Sequence, residues 1–290
     1  MTRGVCYLHI GSRHAVHLVV SLMTLRRYWN GKVAILTDWG GDGYETASLI
    51  ADDERLGKIT VIAHQWIGCG GVDIAYRKIY VPDLSPFQET CFLDSDTAIC
   101  GDISPIFPSA GEVVFTHRNN GPSGNVCMRL RMQKWRDIQP DRAERLRDRN
   151  YPFKPINTGI FGVSARCTDF VREWQKVAAL RQIESSDEQA AQLVFPDYEH
   201  RVLPEIFNGN VSKDNGKPCI IWHGVRNGFW KRRNGKAIFR PLLQQAWYEN
   251  IGSIRELIDA PSDVADNKSL ESPSTDARLP SLFTDGLLAG

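Results

Sequence analysis

The 290-residue sequence lacks any run of about 18 uncharged, apolar residues, so no membrane-spanning helix is expected. Its first residues, MTRGVCYLHIGS, lack the order of charged, apolar and small residues that marks a signal peptide, and we expect a cytoplasmic protein. The seven cysteines include no CxxC pair, and several lie inside apolar runs. This pattern favours buried free thiols over disulfides or a zinc cluster.

Charge of either sign is not in excess overall, since the net charge is +1, but its distribution is uneven. Residues 117–154 contain eight Arg and two Lys against four acids, and residues 226–240 contain six basic residues and no acid. From residue 260 the chain is rich in Ser, Asp and Pro and nearly free of aromatic residues. This composition predicts a disordered tail over residues 260–290.

Strand-like and helix-like segments alternate through the first part of the chain. Residues 4–10, 32–38 and 58–64 are apolar and typical of buried strands, and residues 14–29 show helical periodicity. This alternation predicts an α/β fold with a mixed, mostly parallel central sheet flanked by helices. Such sheets bind ligands beyond the carboxyl ends of their strands.

The segment ETCFLDSDTAICGDI, residues 89–103, ends an apolar strand in two carboxylates. Asp94 and Asp96 repel each other and are costly to bury without a partner. A divalent cation resolves this, because Mg²⁺ and Mn²⁺ prefer oxygen ligands and bridge carboxylates to diphosphates. The alternative is a turn in which Asp-Ser-Asp-Thr caps local backbone amides, and the tetrapeptide alone leaves both interpretations open.

Three later segments carry polar residues at the ends of regular elements. INTGIFGVSA (156–165) is typical of a strand, DEQAAQLVF (187–195) opens a helix, and PCIIWHG (218–224) is a strand that ends at His223. Alone, a histidine at a strand end is more often bonded to the backbone than to a metal.

Together these segments resemble the metal-dependent, nucleotide-sugar glycosyltransferases of the GT-A fold, especially those of family 8. FLDSDTAICGDISPIF resembles their DxD segment, and residues 14–29 and AYRKIYVPDL (75–84) resemble the helices that precede it. INTGIFGVS, DEQAAQ with LPEIFNGN, and IIWHGVRNGFWK resemble three further motifs in the family's order. The resemblance implies one GT-A domain, with a nucleotide-sugar-binding half over residues 1–107 and an acceptor-side half over residues 108–259.

The resemblance implies a chemistry as well as a fold. Asp94, Asp96 and His223 would bind Mn²⁺ or Mg²⁺, and an imidazole ligand favours Mn²⁺. The donor would be a nucleotide-sugar, with UDP as the usual nucleotide, and the acceptor would be a hydroxyl group. Retention of the anomeric configuration is favoured by the family but is not settled by the sequence.

Several donor contacts follow from the same resemblance. Arg77 and Lys78 are candidates for the diphosphate or the donor sugar, with a solvated helix face as their alternative. Arg226 and Lys231 both remain candidates for the terminal diphosphate cation, because the spacing from the histidine to the lysine is longer here than in the family. The nucleoside is expected near Asp38 and against the first strand, at Tyr7, His9 and Gly11.

The residues expected at the sugar are Asn157, Asp187 and Glu188. Asn157 and Asp187 match family positions that contact sugar hydroxyls. Glu188 departs from the family, which more often has Gln there, and is a candidate general base or a group close to the anomeric carbon. The alternative is that Ser185 or Ser186 caps a helix whose dipole the two acids favour.

The basic surplus in residues 117–154 predicts an anionic acceptor, such as modified DNA or RNA, a phospholipid or an acidic phosphoglycan, with a solvated arginine-rich helix as the alternative. Two other functions compete with sugar transfer. A haloacid-dehalogenase-like phosphotransferase also ends an apolar strand in Asp-x-Asp. A non-catalytic nucleic-acid-binding protein accounts for the arginines but leaves Asp94, Asp96 and His223 unexplained.

Overall fold

The computed structural model describes residues 2–12, 14–65, 77–117, 132–148, 155–180, 186–210 and 218–224. The expected tail and the basic segment 226–240 lie outside these ranges. Within them, no helix is both long and apolar enough to cross a membrane. The five cysteines in the described ranges are all free, and three of them are buried, as expected.

Ten strands are described: β1 (Arg3–His9), β2 (Lys32–Asp38), β3 (Ile59–His64), β4 (Glu89–Leu93), β5 (Thr97–Ile99), β6 (Val113–His117), β7 (Ile156–Ser164), β8 (His200–Leu203), β9 (Gly209–Asn210) and β10 (Ile221–His223). Seven of them form one sheet in the order β3-β2-β1-β4-β7-β6-β8. Neighbouring strands pair in parallel except at β7, which is antiparallel to both β4 and β6. The expected mixed, mostly parallel sheet is confirmed.

Helices that flank this sheet include α1 (Ala15–Arg26), α2 (Asp42–Ala51), α3 (Val81–Leu84), α4 (Pro140–Asp148), α5 (Thr168–Ala179) and α6 (Ser186–Val194). Alternate residues of the strands enter opposite layers of the core. Val5 and Ile35 pack with the apolar residues of α1 and α2, whereas Leu8 and Leu36 pack in the layer that contains α5 and α6. Because both faces are covered, the central residues of β1, β2 and β4 are buried in continuous runs and show no alternation with polar residues.

Helix α1 is shorter than the expected 14–29 and ends at Arg26. The Arg26 guanidinium donates hydrogen bonds to the carbonyls of Gly31, Leu56 and Lys58. The Gly31 carbonyl precedes β2, and the other two carbonyls precede β3. Arg26 therefore connects the end of α1 to the amino ends of these two strands.

The strand order reverses beside β1. β1 and β2 lead outward to β3 on one side, whereas β4 adds to the other side of β1. In open α/β sheets, ligands bind beyond the carboxyl ends of the strands at such a reversal. Asp94 follows the last residue of β4 directly and therefore lies at this position.

A second, three-stranded sheet, β5-β10-β9, brings a distant part of the chain to the same place. β10 pairs antiparallel with β5, so that His223 lies opposite Thr97. The amide of Gly224 also donates to the carbonyl of Asp96 at 2.7 Å. This pairing fixes His223 beside the aspartates, although more than a hundred residues separate them in the sequence.

The pairing of β6 with β7 contains an irregularity next to the same region. Phe115 pairs with Phe161, but the next residue, Thr116, pairs with Asn157, so residues 158–160 of β7 form a bulge. Bulges redirect side chains and are frequent beside active sites. Here the bulge lies between the aspartates of β4 and the first turn of α6.

Aromatic rings fill the layer between β7 and α5. The ring of Phe161 stacks on Phe92 with centroids 4.8 Å apart and meets Trp174 edge-on at 5.6 Å. Phe115 joins the same cluster, 6.2 Å from Phe161. Phe161 is therefore a central contact between the sheet and the helices on this face.

We expect Phe161→Ala to lower the free energy of unfolding by about 3–5 kcal/mol, because it removes a fully buried ring and leaves a cavity. Urea unfolding followed by circular dichroism measures the change. The matched control is Leu49→Ala on α2, where the side chain is 53% exposed. This control should change the stability by no more than about 0.5 kcal/mol; equal losses in the two variants would contradict the assignment of Phe161 to the core.

Candidate metal and donor site

Three predicted ligands meet at the reversal of the sheet. Ligand atoms of Asp94, Asp96 and His223 all lie within 4.8 Å of one another. The Nε2 atom of His223 is 3.4 Å from Oδ2 of Asp94 and 3.3 Å from Oδ1 of Asp96. His223 is almost fully buried, and both carboxylates are partly exposed towards the open edge of the sheet.

The residues fit a divalent ion of the kind that the sequence predicts. Two carboxylate oxygens and one imidazole nitrogen form a donor set suited to Mn²⁺, and carboxylates alone suit Mg²⁺. Adjacent ligands of an octahedral ion with bonds of about 2.1 Å are about 3 Å apart. The separations of 3.3 and 3.4 Å from His223 to the two carboxylates are close to this value.

Without an ion, protons and a lysine offset the negative charge. Burial opposes protonation of His223, but Asp96 and Asp94 outweigh it and raise the pKa of His223 to about 9. Burial alone would raise the pKa of Asp96, yet His223, followed by His17 and Lys78, lowers it below its ordinary range. The carboxylate of Asp96 is therefore kept ionised, as a metal ligand must be.

Lys78 contacts Asp94, one of the three candidate metal ligands. Its Nζ atom is 2.6 Å from Oδ2 of Asp94. Burial disfavours the charged ammonium, but Asp94, Asp187 and Asp96 outweigh it and raise the pKa of Lys78 above its ordinary value. The structure thus places Lys78 inside the site, and the alternative of a solvated helix face does not apply to it.

Arg77 takes a different position from Lys78. Its guanidinium donates to both carboxylate oxygens of Asp38, at 2.8 and 3.1 Å. Asp38 ends β2, so this pair lies at the carboxyl edge of the sheet on the side of the expected nucleoside. Arg77 is thereby held at this edge of the sheet by Asp38.

Gly159, in the bulge of β7, lies against the candidate ligands. A Cβ atom at this position would come within 2.2 Å of the His223 ring, 2.6 Å of Asp94 Oδ2 and 2.8 Å of Asn157 Oδ1. The Gly159 carbonyl also accepts from the amide of Asp94 at 2.7 Å. A hydrogen atom is the only side chain that leaves room for these ligands.

Four buried polar side chains form the other wall of the site. Asn157 donates through Nδ2 to Oε2 of Glu188 at 2.9 Å. Thr158 donates to Oδ2 of Asp187 at 2.7 Å. Asn157 and the first residue of the bulge of β7 are thus the partners of the two acids in the first turn of α6, and all three predicted sugar-site residues come together here.

The position of this acidic turn is fixed from behind. The indole Nε1 of Trp174 donates to the backbone carbonyl of Asp187 at 2.8 Å. Burial raises the pKa of Asp187 above its ordinary value, against the opposing effect of Lys78. The side chains of Asp187 and Glu188 bond to β7, so they do more than favour the helix dipole.

The end of β1 corrects one expectation about the nucleoside. The Tyr7 side chain is fully buried under α1, and its hydroxyl lies 3.0 Å from that of Ser21, which in turn lies 2.7 Å from the hydroxyl of Thr97. Tyr7 is therefore a core residue here and presents no atom to a nucleotide. Its hydroxyl supports the turn between the two aspartates instead, because Thr97 donates to the Asp94 carbonyl at 2.8 Å.

His9 and Gly11 remain at the edge of the site. His9 is 1% exposed, and neither of its ring nitrogens has a hydrogen-bond partner in the described part of the chain. Burial, followed by the charge of His14, lowers the pKa of His9 to about 4, so the imidazole is neutral. The Thr37 hydroxyl, at the end of β2, is also buried without such a partner among the described residues. Gly11 has a φ of 66°, a left-handed conformation that suits glycine.

Two arginines of α4, Arg142 and Arg145, are paired with acids. Arg142 donates to Glu173 at 2.8 Å and lies 3.6 Å from Asp197, and Arg145 lies 3.2 Å from the same Asp197. Acids of neighbouring elements therefore offset both charges, and the expected contact of these two residues with an anionic acceptor stays a prediction. Arg226 and Lys231 lie outside the described residues, and their expected contacts stay predictions.

Sequence reasoning missed two supporting residues, Thr158 and Asn208. Asn208 is 3% exposed, and its Oδ1 lies 3.0 Å from Nδ1 of His223. Both residues lie in segments that resemble family motifs, INTG and LPEIFNGN, but only their partners in space show what they do.

The fold and the site define a class. The chain has the GT-A fold, with a cluster of two aspartates and a histidine at the carboxyl ends of its parallel strands. Comparison with solved structures shows the same fold in glycosyltransferases. The galactosyltransferase LgtC, in complex with donor and acceptor sugar analogs, superposes with a TM-score of 0.61 at 12% identity, over 88% of this chain and 99% of that chain.

Two further structures are similar. Mouse xyloside xylosyltransferase 1 in its apo form gives a TM-score of 0.52 at 13% identity, over 78% of this chain and 99% of that chain. The glycosyltransferase GlyE of Streptococcus pneumoniae TIGR4, also in its apo form, gives 0.56 at 15% identity, over 95% of this chain and 66% of that chain. No protein-family model and no curated protein matches the sequence. The likeness therefore shows the fold, and membership of family 8 stays a prediction.

We expect Gly159→Ala to weaken Mn²⁺ binding by at least about 10-fold, since displaced support of a metal ligand typically costs 10- to 100-fold in affinity. Isothermal titration calorimetry measures the affinity. Gly101→Ala is the control, because a Cβ there would meet the Ile220 side chain at an ordinary 3.4 Å. Unchanged Mn²⁺ affinity in a folded Gly159→Ala protein would show that the ion does not bind at this cluster.

Proposed function

We propose that this protein is a metal-dependent glycosyltransferase that moves a sugar from a UDP-sugar to a hydroxyl acceptor. The observation that carries the proposal is the cluster of Asp94, Asp96 and His223 at the reversal of the sheet, facing the buried acids of α6. A site for a nucleoside diphosphate needs cationic charge at its phosphates and polar groups at its sugar. The aspartate wall, formed by Asp94, Asp96 and His223, would supply the cationic charge by holding a metal ion. The acidic wall, formed by Asn157, Thr158, Asp187 and Glu188, would supply the polar groups.

The diphosphate would lie against the aspartate wall. Asp94, Asp96 and His223 would hold Mn²⁺, or Mg²⁺, which when bound offsets the charge of the leaving diphosphate. Lys78, which contacts Oδ2 of Asp94, would add its positive charge at the diphosphate beside these ligands. Arg226 and Lys231 are the further cations that we propose for the phosphates.

The donor sugar would lie against the acidic wall. Asn157 and Asp187 would hydrogen-bond its hydroxyl groups, and Glu188 is the carboxylate that we propose for the reaction at the anomeric carbon or at the acceptor hydroxyl. The amide of Asn157 orients Glu188 by donating to Oε2 at 2.9 Å. Retention of the anomeric configuration is the outcome that we propose, and proton NMR of the first product distinguishes it from inversion.

The nucleoside would lie across the ends of β1 and β2. His9 and Thr37 are buried there without hydrogen-bond partners in the described residues. Unpaired buried polar groups are costly, but these two side chains are as buried as that of Tyr7. We therefore propose that the nucleoside packs over this edge rather than pairs with them. Asp38, held by Arg77, is the remaining polar group of this edge.

The class of acceptor follows less directly. The pairing of Arg142 and Arg145 with acids favours the solvated-face interpretation of α4 over a polyanion-binding surface. We therefore propose a hydroxyl acceptor without a required negative charge. A nucleic-acid-binding function is disfavoured by the same pairing, because fewer free cations remain to contact phosphates. Transfer to DNA, RNA, phosphoglycan and neutral sugars at low and high salt would compare these acceptors.

We expect Asp96→Ala to lower Mn²⁺-dependent release of UDP from UDP-sugars by more than the 10- to 100-fold typical of residues that only support a metal ligand. Asp96 is expected to contact the ion directly, so its loss removes a ligand. A panel of UDP-sugars with and without Mn²⁺ measures the release.

The control for this substitution is Asp52→Ala, which removes an exposed acid at the end of α2. It should hydrolyse the donors as the wild type does. Equal UDP affinity of the wild type with Mn²⁺ and with EDTA would contradict the metal-dependent function.

We expect Asn157→Ala and Asp187→Asn to retain UDP affinity in Mn²⁺ and to lose turnover by about 100-fold, as removal of one preorganised polar contact to the reacting group commonly does. We propose both residues for contacts with the sugar rather than with the diphosphate. Asp187→Asn keeps an oxygen for the Thr158 hydroxyl, which limits the structural change. Loss of UDP binding in both variants would show that they contact the nucleotide instead.

A further inference from the structure

We propose that Asn208 is a positioning residue that turns His223 into a metal ligand, and that Thr116 in turn sets the orientation of Asn208. The inference deepens the proposed function and rests on the metal site described there. It concerns the direction of hydrogen bonds behind His223, on the side of the ring away from the aspartates.

The chain of bonds begins at a backbone carbonyl of the bulged strand β7. The Thr116 hydroxyl lies 3.2 Å from the carbonyl oxygen of Ile160. A carbonyl oxygen accepts and cannot donate, so the single hydroxyl hydrogen of Thr116 is directed to Ile160. The Thr116 oxygen is then left as an acceptor for its other neighbour.

That neighbour is the side-chain amide of Asn208. Its Nδ2 lies 3.0 Å from Oγ1 of Thr116 and donates to it. An amide side chain with its nitrogen facing Thr116 must turn its oxygen the other way. Oδ1 accordingly faces Nδ1 of His223 at 3.0 Å. Because Oδ1 only accepts, Nδ1 of His223 must carry a hydrogen.

This hydrogen decides what the other ring nitrogen does. A neutral imidazole with its hydrogen on Nδ1 presents the lone pair of Nε2, and Nε2 is the atom that faces Asp94 and Asp96. If Asn208 were turned round, its Nδ2 would donate to Nδ1, and the hydrogen of a neutral ring would move to Nε2. Nε2 would then donate to the aspartates and be unable to bind an ion.

The fold leaves this relay little freedom. Thr116, Asn208 and His223 are exposed by 0, 3 and 4%, respectively, so water does not compete for their bonds. Thr116 is the residue at which the pairing of β6 with β7 shifts, so the same bulge that brings Gly159 to the ligands also supplies the first acceptor of the relay. Partners of this kind behind a metal-ligating histidine typically contribute 10- to 100-fold to metal affinity.

The experiment compares two matched pairs of variants by their affinity for Mn²⁺, measured as free aqueous Mn²⁺ by electron paramagnetic resonance. Asn208→Leu removes the acceptor, whereas Asn208→Asp keeps an oxygen facing Nδ1. We expect Asn208→Leu to bind Mn²⁺ about 10- to 100-fold more weakly than the wild type, and Asn208→Asp to retain most of the affinity. Thr116→Val should weaken binding, and Thr116→Ser should not.

A second readout follows the hydrogen itself. In protein labelled with ¹⁵N-histidine and loaded with diamagnetic Zn²⁺, the signals of His223 are assigned by their absence from His223→Gln. The wild type and Asn208→Asp should show a protonated Nδ1 and a metal-bound Nε2. Thr116→Val, which leaves Asn208 free to turn, should show loss of the Nδ1 proton signal or exchange between two forms.

The outcomes separate the relay from the metal site. If the wild type binds Mn²⁺ and Asn208→Leu and Thr116→Val bind it equally well, the relay is wrong and the metal site stands. If Asn208→Asp loses as much affinity as Asn208→Leu, Asn208 acts through packing and the inference fails. If Asn208→Leu does not fold, the Thr116 pair decides in the same way. A wild type without Mn²⁺ affinity would overturn both the metal site and the relay.

Discussion

Two like charges at the end of a buried strand set the condition that the rest of the site meets. Unit charges about 4 Å apart repel by about 4 kcal/mol at an effective dielectric constant of 20, a large share of the 5–15 kcal/mol by which domains are stable. The fold tolerates Asp94 and Asp96 because cationic partners lie beside them. Lys78 contacts Asp94, and His223 lies between both carboxylates. A divalent ion offsets the same charge with fewer protons, so the arrangement is suited to holding one.

Local patterns in the sequence were sufficient for much of this. The strands up to β4, the helix α5 and the aspartates at the end of β4 are each marked by residues close together in the chain. The short strands β5, β8 and β9 were not predicted, because two to four residues carry no measurable period. β6 was missed although it is five residues long, since its polar neighbours conceal the apolar run. The prediction for helix α1 extended too far, because the helical periodicity of the sequence continues beyond Arg26, the last residue of the helix.

The site residues that were wrong or missed depend on contacts between distant segments. Tyr7 was expected at the nucleoside, but in a strand covered on both faces the sequence does not show which face a residue takes. Asn208 was not assigned, since its meaning lies in Thr116 and His223, which are far away in the chain. Arg142 was counted among the free cations, because the sequence does not reveal that α5 supplies Glu173 to it. Counting the basic residues of one segment overestimates the positive charge of its surface whenever a neighbouring element carries the acids that pair with them.

The bulge of β7, together with Asn157 directly before it, explains why one short segment serves every part of the site. Asn157 holds Glu188, Thr158 holds Asp187, and Gly159 leaves space for the metal-ligand candidates. The next carbonyl, that of Ile160, receives the hydroxyl of Thr116. In a regular strand successive side chains point to opposite faces, and neighbouring residues would not share one site. The shift in pairing at Thr116 breaks this alternation, so the two acids of α6 and the histidine of β10 are positioned by the same four residues. A change in the length of this bulge would therefore move both walls of the site together.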